Sequence, residues 1–143
     1  MDRLSLEKLL HEQIPLAKAM GVKVIKLDDT SVELTSPLQP NHNHIGTAFG
    51  GSLSTLMILA GYCRLFVMMN GIGHVLLKNT SMRFIKPVNE ELRAVAAKPE
   101  ETLSENFLKI YAKKKRARFV LTSEIILADG TVACQMTGEF VGT

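Results

Sequence analysis

The sequence predicts an α+β domain in which a curved antiparallel sheet wraps around one long buried helix. Two observations predict it. Between residues 52 and 70 the only formal charge is Arg64, and apolar residues cover every helical face, which is typical of a helix that is buried or crosses a membrane. Ser52, Ser54 and Thr55 interrupt the segment, which favours burial. From residue 75 onward most of the chain has strand patterns, and 143 residues suit one domain over 1–143.

The first elements are short. Residues 3–13 carry leucines among charges and predict an amphipathic helix that ends before Pro15, with a short turn over 17–20. Strands are expected around residues 22–25 and 32–35, joined by a turn at Asp28–Asp29. Prolines 37 and 40 then break the regular pattern before the long helix.

The second half of the chain is predicted to be mostly sequential, antiparallel strands. Strands are expected over 75–86 and 91–98, followed by a helix that Ser104 caps and that continues to about Lys113. Two more strands, over 117–127 and 131–141, are joined by Asp129–Gly130, a strong hairpin signal. The sheet therefore has five or six strands.

The amino-acid composition narrows the range of possible functions. A net charge of +3 and a pI near 9.0, without aromatics interleaved among the basic residues, do not indicate nucleic-acid binding. The first residues mix charges of both signs without an apolar signal-peptide core, so we expect a cytoplasmic protein without a membrane partner. Cys63 and Cys134 have no disulfide or metal-site spacing and are expected to be packing residues. No metal or cofactor is expected.

The loop before the long helix has the clearest functional pattern. It has the sequence NHNHIGTAFGG over 41–51, and Gly50 and Gly51 leave their backbone N–H groups open to close approach at the positive end of a helix. An anionic or developing oxyanionic group would be held there. No Asp or Glu lies between Glu33 and Glu90, which fits either a phosphate-bearing ligand or a buried segment that avoids carboxylates.

Several stretches together resemble the hot-dog fold. They are Asn43 with Gly46, the Gly50–Gly51 pair that opens the helix, MRFIKPV at 82–88, and the final hairpin ADGTVACQMTGEF. The loop and helix are similar in particular to a subfamily of thioesterase domains that occur alone or fused behind a GNAT-type acetyltransferase domain. The glycine loop that binds CoA in GNAT domains is absent here, so an acetyltransferase label would belong to the fused relatives.

The resemblance implies a thioesterase or dehydratase of acyl-CoA or acyl-carrier-protein thioesters that works as a homodimer or a dimer of dimers. The family's catalytic pattern carries over only in part. Asn43 matches the family's loop Asn, but Phe49 stands where the related enzymes have His, and Ile58 stands where they have a carboxylate. The usual general base is therefore missing.

The remaining catalytic roles follow from the chemistry of thioester hydrolysis. The Gly51 N–H, helped by that of Gly50, is the expected oxyanion donor, and Asn43 is expected to orient the water or the carbonyl. His44, or else His42, is the expected base. Three alternatives remain open: the glycines serve only packing, Asn43 only bonds its own loop, and the two histidines bind a metal.

Further residues are expected to contact the substrate. Ser52 and Thr55 would line the channel from the first helical turn, with Phe49 as a wall and His42 at the mouth. Ser52 is not expected to be a nucleophile, because no triad partner or GxSxG elbow accompanies it. Arg83, Lys86 and the basic run at 113–118 are candidates for CoA phosphates or an acidic carrier protein, although such a run is more often a solvated turn.

The sequence therefore predicts a thioesterase. A dehydratase or hydratase is the alternative among enzymes, but it would need a His and a carboxylate across the site. Phe49 and Ile58 also leave open a module that binds acyl thioesters without catalysis. A lone curved sheet has two edge strands, so pairing one edge across a two-fold axis is expected.

Overall fold

The computed structural model describes residues 1–143. It contains four α-helices and six strands, with a 3-10 turn at Gln39–Asn41. In chain order the elements are α1 Arg3–Gln13, α2 Pro15–Ala19, β1 Lys23–Leu27, β2 Ser31–Ser36, α3 Gly50–Met68, β3 Val75–Phe84, β4 Leu92–Ala97, α4 Glu101–Lys114, β5 Ala117–Ile126 and β6 Val132–Gly142.

All six strands form one antiparallel sheet in the order β1-β2-β4-β5-β6-β3. Helix α3 packs against β2, β3, β4, β5 and β6, so the sheet curves around it. This is the hot-dog arrangement, and the predicted fold class is confirmed.

Helix α3 lies at the centre of the apolar core. Its leucines and its Met57, Cys63 and Phe66 belong to one cluster of 32 buried hydrophobic residues contributed by both helices and strands. It is the one helix long and apolar enough to cross a membrane, but more than half of its apolar window is buried by the sheet. The apolar surface that could suggest a membrane span therefore forms the core of this fold.

The β1–β2 turn is attached to the central helix. The carboxylate of Asp28 accepts hydrogen bonds from the Thr30 N–H (2.8 Å), the Thr30 hydroxyl (2.6 Å) and the Ser31 N–H (3.1 Å). From α3, the buried Arg64 donates through Nη1 to the Asp28 carbonyl oxygen at 3.1 Å. Arg64 therefore fixes the hairpin to the helix, and it is not available to a ligand at the helix start.

The two edges of the sheet differ. Helix α1 covers the β1 edge with side chains: Arg3 Nη1 donates to the Val24 carbonyl (3.0 Å), and Glu7 Oε1 accepts from the Val24 N–H (2.8 Å). The ring Nε2 of His11 lies 2.6 Å from the Val22 carbonyl oxygen. The other edge strand, β3, is exposed except at Val75 and Met82. The sheet therefore has one open edge instead of the two expected from sequence.

One predicted boundary is wrong. Helix α4 begins at Glu101, three residues before the predicted cap, and Ser104 lies inside it, where its hydroxyl donates to the Glu100 carbonyl (3.3 Å). The helix ends at Lys114, and the cap residue Lys115 adopts a left-handed conformation (φ 57°). The basic run at 113–118 thus spans the end of α4 and the start of β5, and no ion pair of the chain includes it.

Candidate functional site

The loop before α3 is shaped by Asn43. Its Oδ1 accepts from the N–H groups of Ile45 (3.0 Å) and Thr47 (3.1 Å), and its Nδ2 donates to the Thr47 hydroxyl (2.8 Å). Its backbone N–H donates to the Thr47 carbonyl (2.7 Å). Each polar atom of the Asn43 side chain is thus engaged within the loop, as the alternative of a self-bonding Asn predicted.

Asn41 lies two residues earlier and is almost fully buried, with 2% of its surface exposed. Its Nδ2 donates to the carbonyl oxygens of Met20 (2.9 Å) and Pro37 (2.8 Å) and to the Ser36 hydroxyl (3.0 Å). Its own carbonyl accepts from the Phe49 N–H at 2.7 Å. Asn41 therefore attaches the end of β2 and the α2–β1 connection to the start of the central helix.

Helix α3 begins without a capping side chain, because Phe49 occupies the N-cap position. The Phe49 carbonyl accepts from the N–H groups of Ser52 and Leu53, each at 3.0 Å. The N–H groups of Gly50 and Gly51 have no acceptor in the chain. Two unpaired donors therefore lie together at the positive end of a 19-residue helix.

Of these two glycines, Gly51 lines a pocket of about 440 Å³. Its polar lining comes from Asn41, Ser52 and Thr55, whereas its walls are apolar and include Leu16 and Met20; the remaining lining residues are Ala19, Pro40, Phe49 and Gly51. The Thr55 hydroxyl donates to the Gly51 carbonyl at 2.9 Å, one turn along the same helix face. Phe49, Gly51, Ser52 and Thr55 are thus brought together as the sequence predicted.

Phe49 forms the wall next to the donors. Its ring is 56% exposed and lies so close to the Cα of Gly51 that a Cβ on that glycine would overlap the ring. At Gly50 a Cβ would meet only the Phe84 ring, at 4.0 Å. A side chain at position 51 would therefore displace the exposed Phe49 ring, whereas position 50 tolerates a small side chain.

Both loop histidines lie outside the pocket. His42 Nδ1 is 2.9 Å from the Asn43 carbonyl oxygen, whereas the exposed His44 ring has no hydrogen-bond partner. No Asp, Glu or His lines the pocket, and no cluster of three His, Cys, Asp or Glu residues could hold a metal ion. The pocket thus presents hydrogen-bond groups and apolar surface without a titratable side chain.

The structure does not bring Arg83 and Lys86 to this pocket. Met82 packs on the core and Phe84 approaches Gly50, so strand alternation directs Arg83 to the opposite face of β3. The pKa of Asp129 is lowered by hydrogen bonds from Thr131 and, less, by the charge of Lys86. Lys86 therefore lies near the β5–β6 turn.

The two thiols are buried and unpaired. Burial raises the pKa of both, that of Cys134 to about 11 and that of Cys63 further. Neither thiol is positioned as a nucleophile. Position 58, where related thioesterases have a carboxylate, holds a half-buried isoleucine that packs against the core.

The same architecture occurs in known hot-dog proteins. A protein of unknown function from Chlorobaculum tepidum TLS is 24% identical, with a TM-score of 0.90 over 97% of this chain and 92% of that one. A protein from Shewanella oneidensis described as a "putative thioesterase" is 24% identical, with a TM-score of 0.88 over 99% and 96%. A Pseudomonas aeruginosa protein of unknown function, described as a "probable thioesterase", is 20% identical. Its TM-score is 0.82, and the match covers 99% of this chain and 95% of that one.

The fold and the sequence agree on a class of thioesterase domains. Residues 3–143 match the model of the family described as "Putative thioesterase (yiiD_Cterm)", and the chain belongs to that family.

Asn41 was not among the residues predicted for the site. Its only local signal is that a second Asn precedes the double glycine, directly after Pro40. Asn43 was chosen because it matches the pattern of related enzymes, whereas the structure places Asn41 against the pocket.

Proposed function

We propose that the protein hydrolyses an acyl thioester, carried by CoA or an acyl carrier protein, at the start of α3. The observation that carries the proposal is the unpaired N–H of Gly51 at a pocket with apolar walls, next in the chain to the unpaired N–H of Gly50. Family membership supports the reaction type. The carbonyl oxygen of the thioester would accept from the Gly51 N–H, with Gly50 as a second donor.

During the reaction, negative charge develops on the thioester carbonyl oxygen, next to these N–H donors. Water attacks the carbonyl carbon, the new C–O bond forms, and the oxygen becomes an oxyanion that the N–H groups stabilise. The C–S bond then breaks, and the proton that water loses ends on the thiol. Removal of one such donor typically costs about 3 kcal/mol, or on the order of 10²-fold in kcat.

Gly51→Val tests the oxyanion site. The new side chain would push the exposed Phe49 ring aside and occupy the approach to the N–H, so we expect kcat to fall on the order of 10²-fold. Gly50→Ala is the matched control, because its Cβ meets only an ordinary contact, and it should retain activity within a few-fold. A Gly51→Val protein that folds and hydrolyses acyl-CoA at the parent rate would contradict the role.

Neither loop histidine lines the pocket of the single chain; of the two, His44 is the proposed proton acceptor, since its ring has no partner within the chain, whereas His42 is close to the Asn43 carbonyl. We expect His44→Ala to lower kcat by roughly 10²-fold, the usual scale for a general base. His42→Ala serves as the control and should have little effect. Equal, small effects of both changes would move the role to a group from a second copy of the chain.

A degenerate binding module remains the second candidate, because Phe49 and Ile58 replace the usual catalytic side chains and no titratable group lines the pocket. Thiol release should be measured over short, medium, long and aromatic acyl-CoAs and over acylated carrier protein. Binding of a non-hydrolysable analogue should be titrated in parallel. Binding without turnover on any substrate would favour the module. A dehydratase or hydratase would need a His–carboxylate pair, and no such pair lines this pocket.

Arg83, Lys86 and the basic run at 113–118 remain candidates for holding the carrier. Their exposure and lack of ion pairs leave Arg83, Lys86 and the five cations of the run free to interact with phosphates or an acidic protein surface. A strong decrease in kcat/KM with added salt would support this role.

A further inference from the structure

The amide of Asn41 can adopt only one orientation. Two of the acceptors around its Nδ2 are the carbonyl oxygens of Met20 and Pro37. A carbonyl oxygen cannot donate a hydrogen bond, so the NH₂ group must face both of them and Oδ1 must face away. Since Asn41 is 2% exposed, surrounding atoms hold it in this orientation.

The oxygen of this amide has no partner in the chain. None of the hydrogen bonds of Asn41 uses Oδ1. The only side-chain nitrogen or oxygen that is both sealed from solvent and unpaired is Arg64 Nε, so Oδ1 keeps access to open space. Asn41 lines the pocket beside Gly51, and the residue is otherwise enclosed, so the pocket is the open space available to Oδ1.

We infer that the pocket selects acyl groups that carry a hydroxyl, with Asn41 Oδ1 as the acceptor for the hydroxyl proton. The inference rests on the proposed function and names its substrate class. Leu16, Ala19, Met20, Pro40 and Phe49 supply an apolar wall, which suits a carbon chain. A plain chain that filled this space would expel water from Oδ1 and leave a buried acceptor unpaired, which is costly.

The other polar groups of the pocket do not impose the same requirement. The Ser52 and Thr55 hydroxyls can rotate, and Thr55 already donates to the Gly51 carbonyl, so a ligand need not satisfy them. An amide oxygen can only accept, and this one cannot turn away. A site built to bond a substrate hydroxyl discriminates strongly against the analogue that lacks it.

The test compares matched ligands on the unaltered protein. Non-hydrolysable thioether analogues of CoA would carry a hydroxyl on successive carbons of the acyl chain, each beside the unsubstituted chain and the methyl ether of the same position. We expect at least one hydroxyl isomer to bind on the order of 10-fold or more tightly than both matched analogues. The methyl ether accepts but does not donate, so it should lose the advantage. No preference for any hydroxyl isomer would overturn the inference.

Two variants test whether Asn41 causes the preference for hydroxylated ligands. In Asn41→Leu the ratio of affinities for the hydroxylated and plain ligands should fall to about one, since the acceptor is gone. The ratio is measured within one protein, so it is insensitive to a loss of stability. Ser36→Ala removes a partner of Nδ2 but leaves Oδ1, and it should keep the ratio. A preference that survives in Asn41→Leu would overturn the assignment.

Hydrolysis of the matched thioesters separates this inference from the proposed function. Turnover with the hydroxyl preference supports both. Preferential binding of hydroxylated ligands without any turnover would remove the thioesterase proposal and keep the specificity. Turnover that ignores the hydroxyl would keep the thioesterase proposal and remove the specificity.

Discussion

Asp28 shows how a single exposed side chain can set the geometry of a turn. Its carboxylate accepts hydrogen bonds from the Thr30 hydroxyl and from two backbone N–H groups, and these bonds lower its pKa from 3.8 to about 2. Because the folded-state pKa is lower than the unfolded one, the carboxylate contributes stability above about pH 4. That contribution is lost as the pH falls toward 2.

The prediction concerns Asp28→Ala. This variant should be less stable than the parent at neutral pH, and the difference in free energy of unfolding should shrink as the pH falls from 4 toward 2. Denaturant unfolding at several pH values measures the difference. Asp29→Ala is the control, since Asp29 accepts no hydrogen bond; a pH-dependent difference of the same size there would argue against the role of Asp28.

Two nearby asparagines show what could be predicted for the site. Phe49, Gly51 and Thr55 lie around one pocket, and their proximity could be predicted because it follows from local helix spacing. Asn41 depends on contacts with Met20 and Ser36, 21 and 5 residues away in the chain, and no local pattern indicates the first of these. The self-bonding of Asn43, by contrast, is a local property of Asn that the sequence already offered as an alternative.

At the scale of elements, α1 acts as a cover for the edge of β1. Arg3, Glu7 and His11 occupy positions i, i+4 and i+8, so they lie on one face of the helix and meet backbone groups of Val24 in β1 and of Val22 just before it. An uncovered strand edge can pair with another chain. The amphipathic pattern predicted the helix, but it did not indicate that polar side chains of α1 bond the sheet.

Glu7→Ala tests this cover. The Val24 N–H would lose its acceptor, so we expect a loss of about 1 kcal/mol in stability, or roughly 3 °C in Tm for a chain of this size. Glu12→Ala is the matched control on the same helix, because its pair with Lys8 is long (3.8 Å) and both side chains are highly exposed. Glu12→Ala should lower the free energy of unfolding by less than about 0.5 kcal/mol. Equal losses of stability in the two variants would contradict the proposed role of α1 in covering the β1 edge.

Most elements were predicted within two or three residues because their signals are strong and local. The apolar run, in which Arg64 is the only charge, predicted α3, and Asp129–Gly130 predicted the β5–β6 hairpin. The cap of helix α4 was placed four residues late because Ser104 resembles a cap, whereas the observed cap is Glu100 and the helix begins with Glu101. The covered β1 edge could not be predicted, since it requires knowledge of which helix face meets which strand.

For the whole molecule, the asymmetry of the edges predicts how copies assemble. One edge is covered by α1, and the other, β3, presents ten residues of which only Val75 is buried and Met82 partly so. Exposed Leu76, Leu77 and Phe84 add apolar surface to this strand. Long, exposed and partly apolar edges are uncommon in monomers. We therefore propose a homodimer, or a dimer of dimers, in which two β3 strands pair antiparallel across a two-fold axis.

Leu76→Asp tests that assembly. The residue is 59% exposed in the single chain and would be placed in the interface, where a buried charge repeated by symmetry should weaken the dimer by at least 10-fold in Kd. Val120→Asp is the matched control, with 57% exposure on β5 in the middle of the sheet, and it should leave the dimer intact. Sedimentation at micromolar concentration measures both. A parent protein that sediments as a folded monomer, or a Leu76→Asp variant as dimeric as the control, would show that β3 is not the interface, and the open edge would then need another occupant.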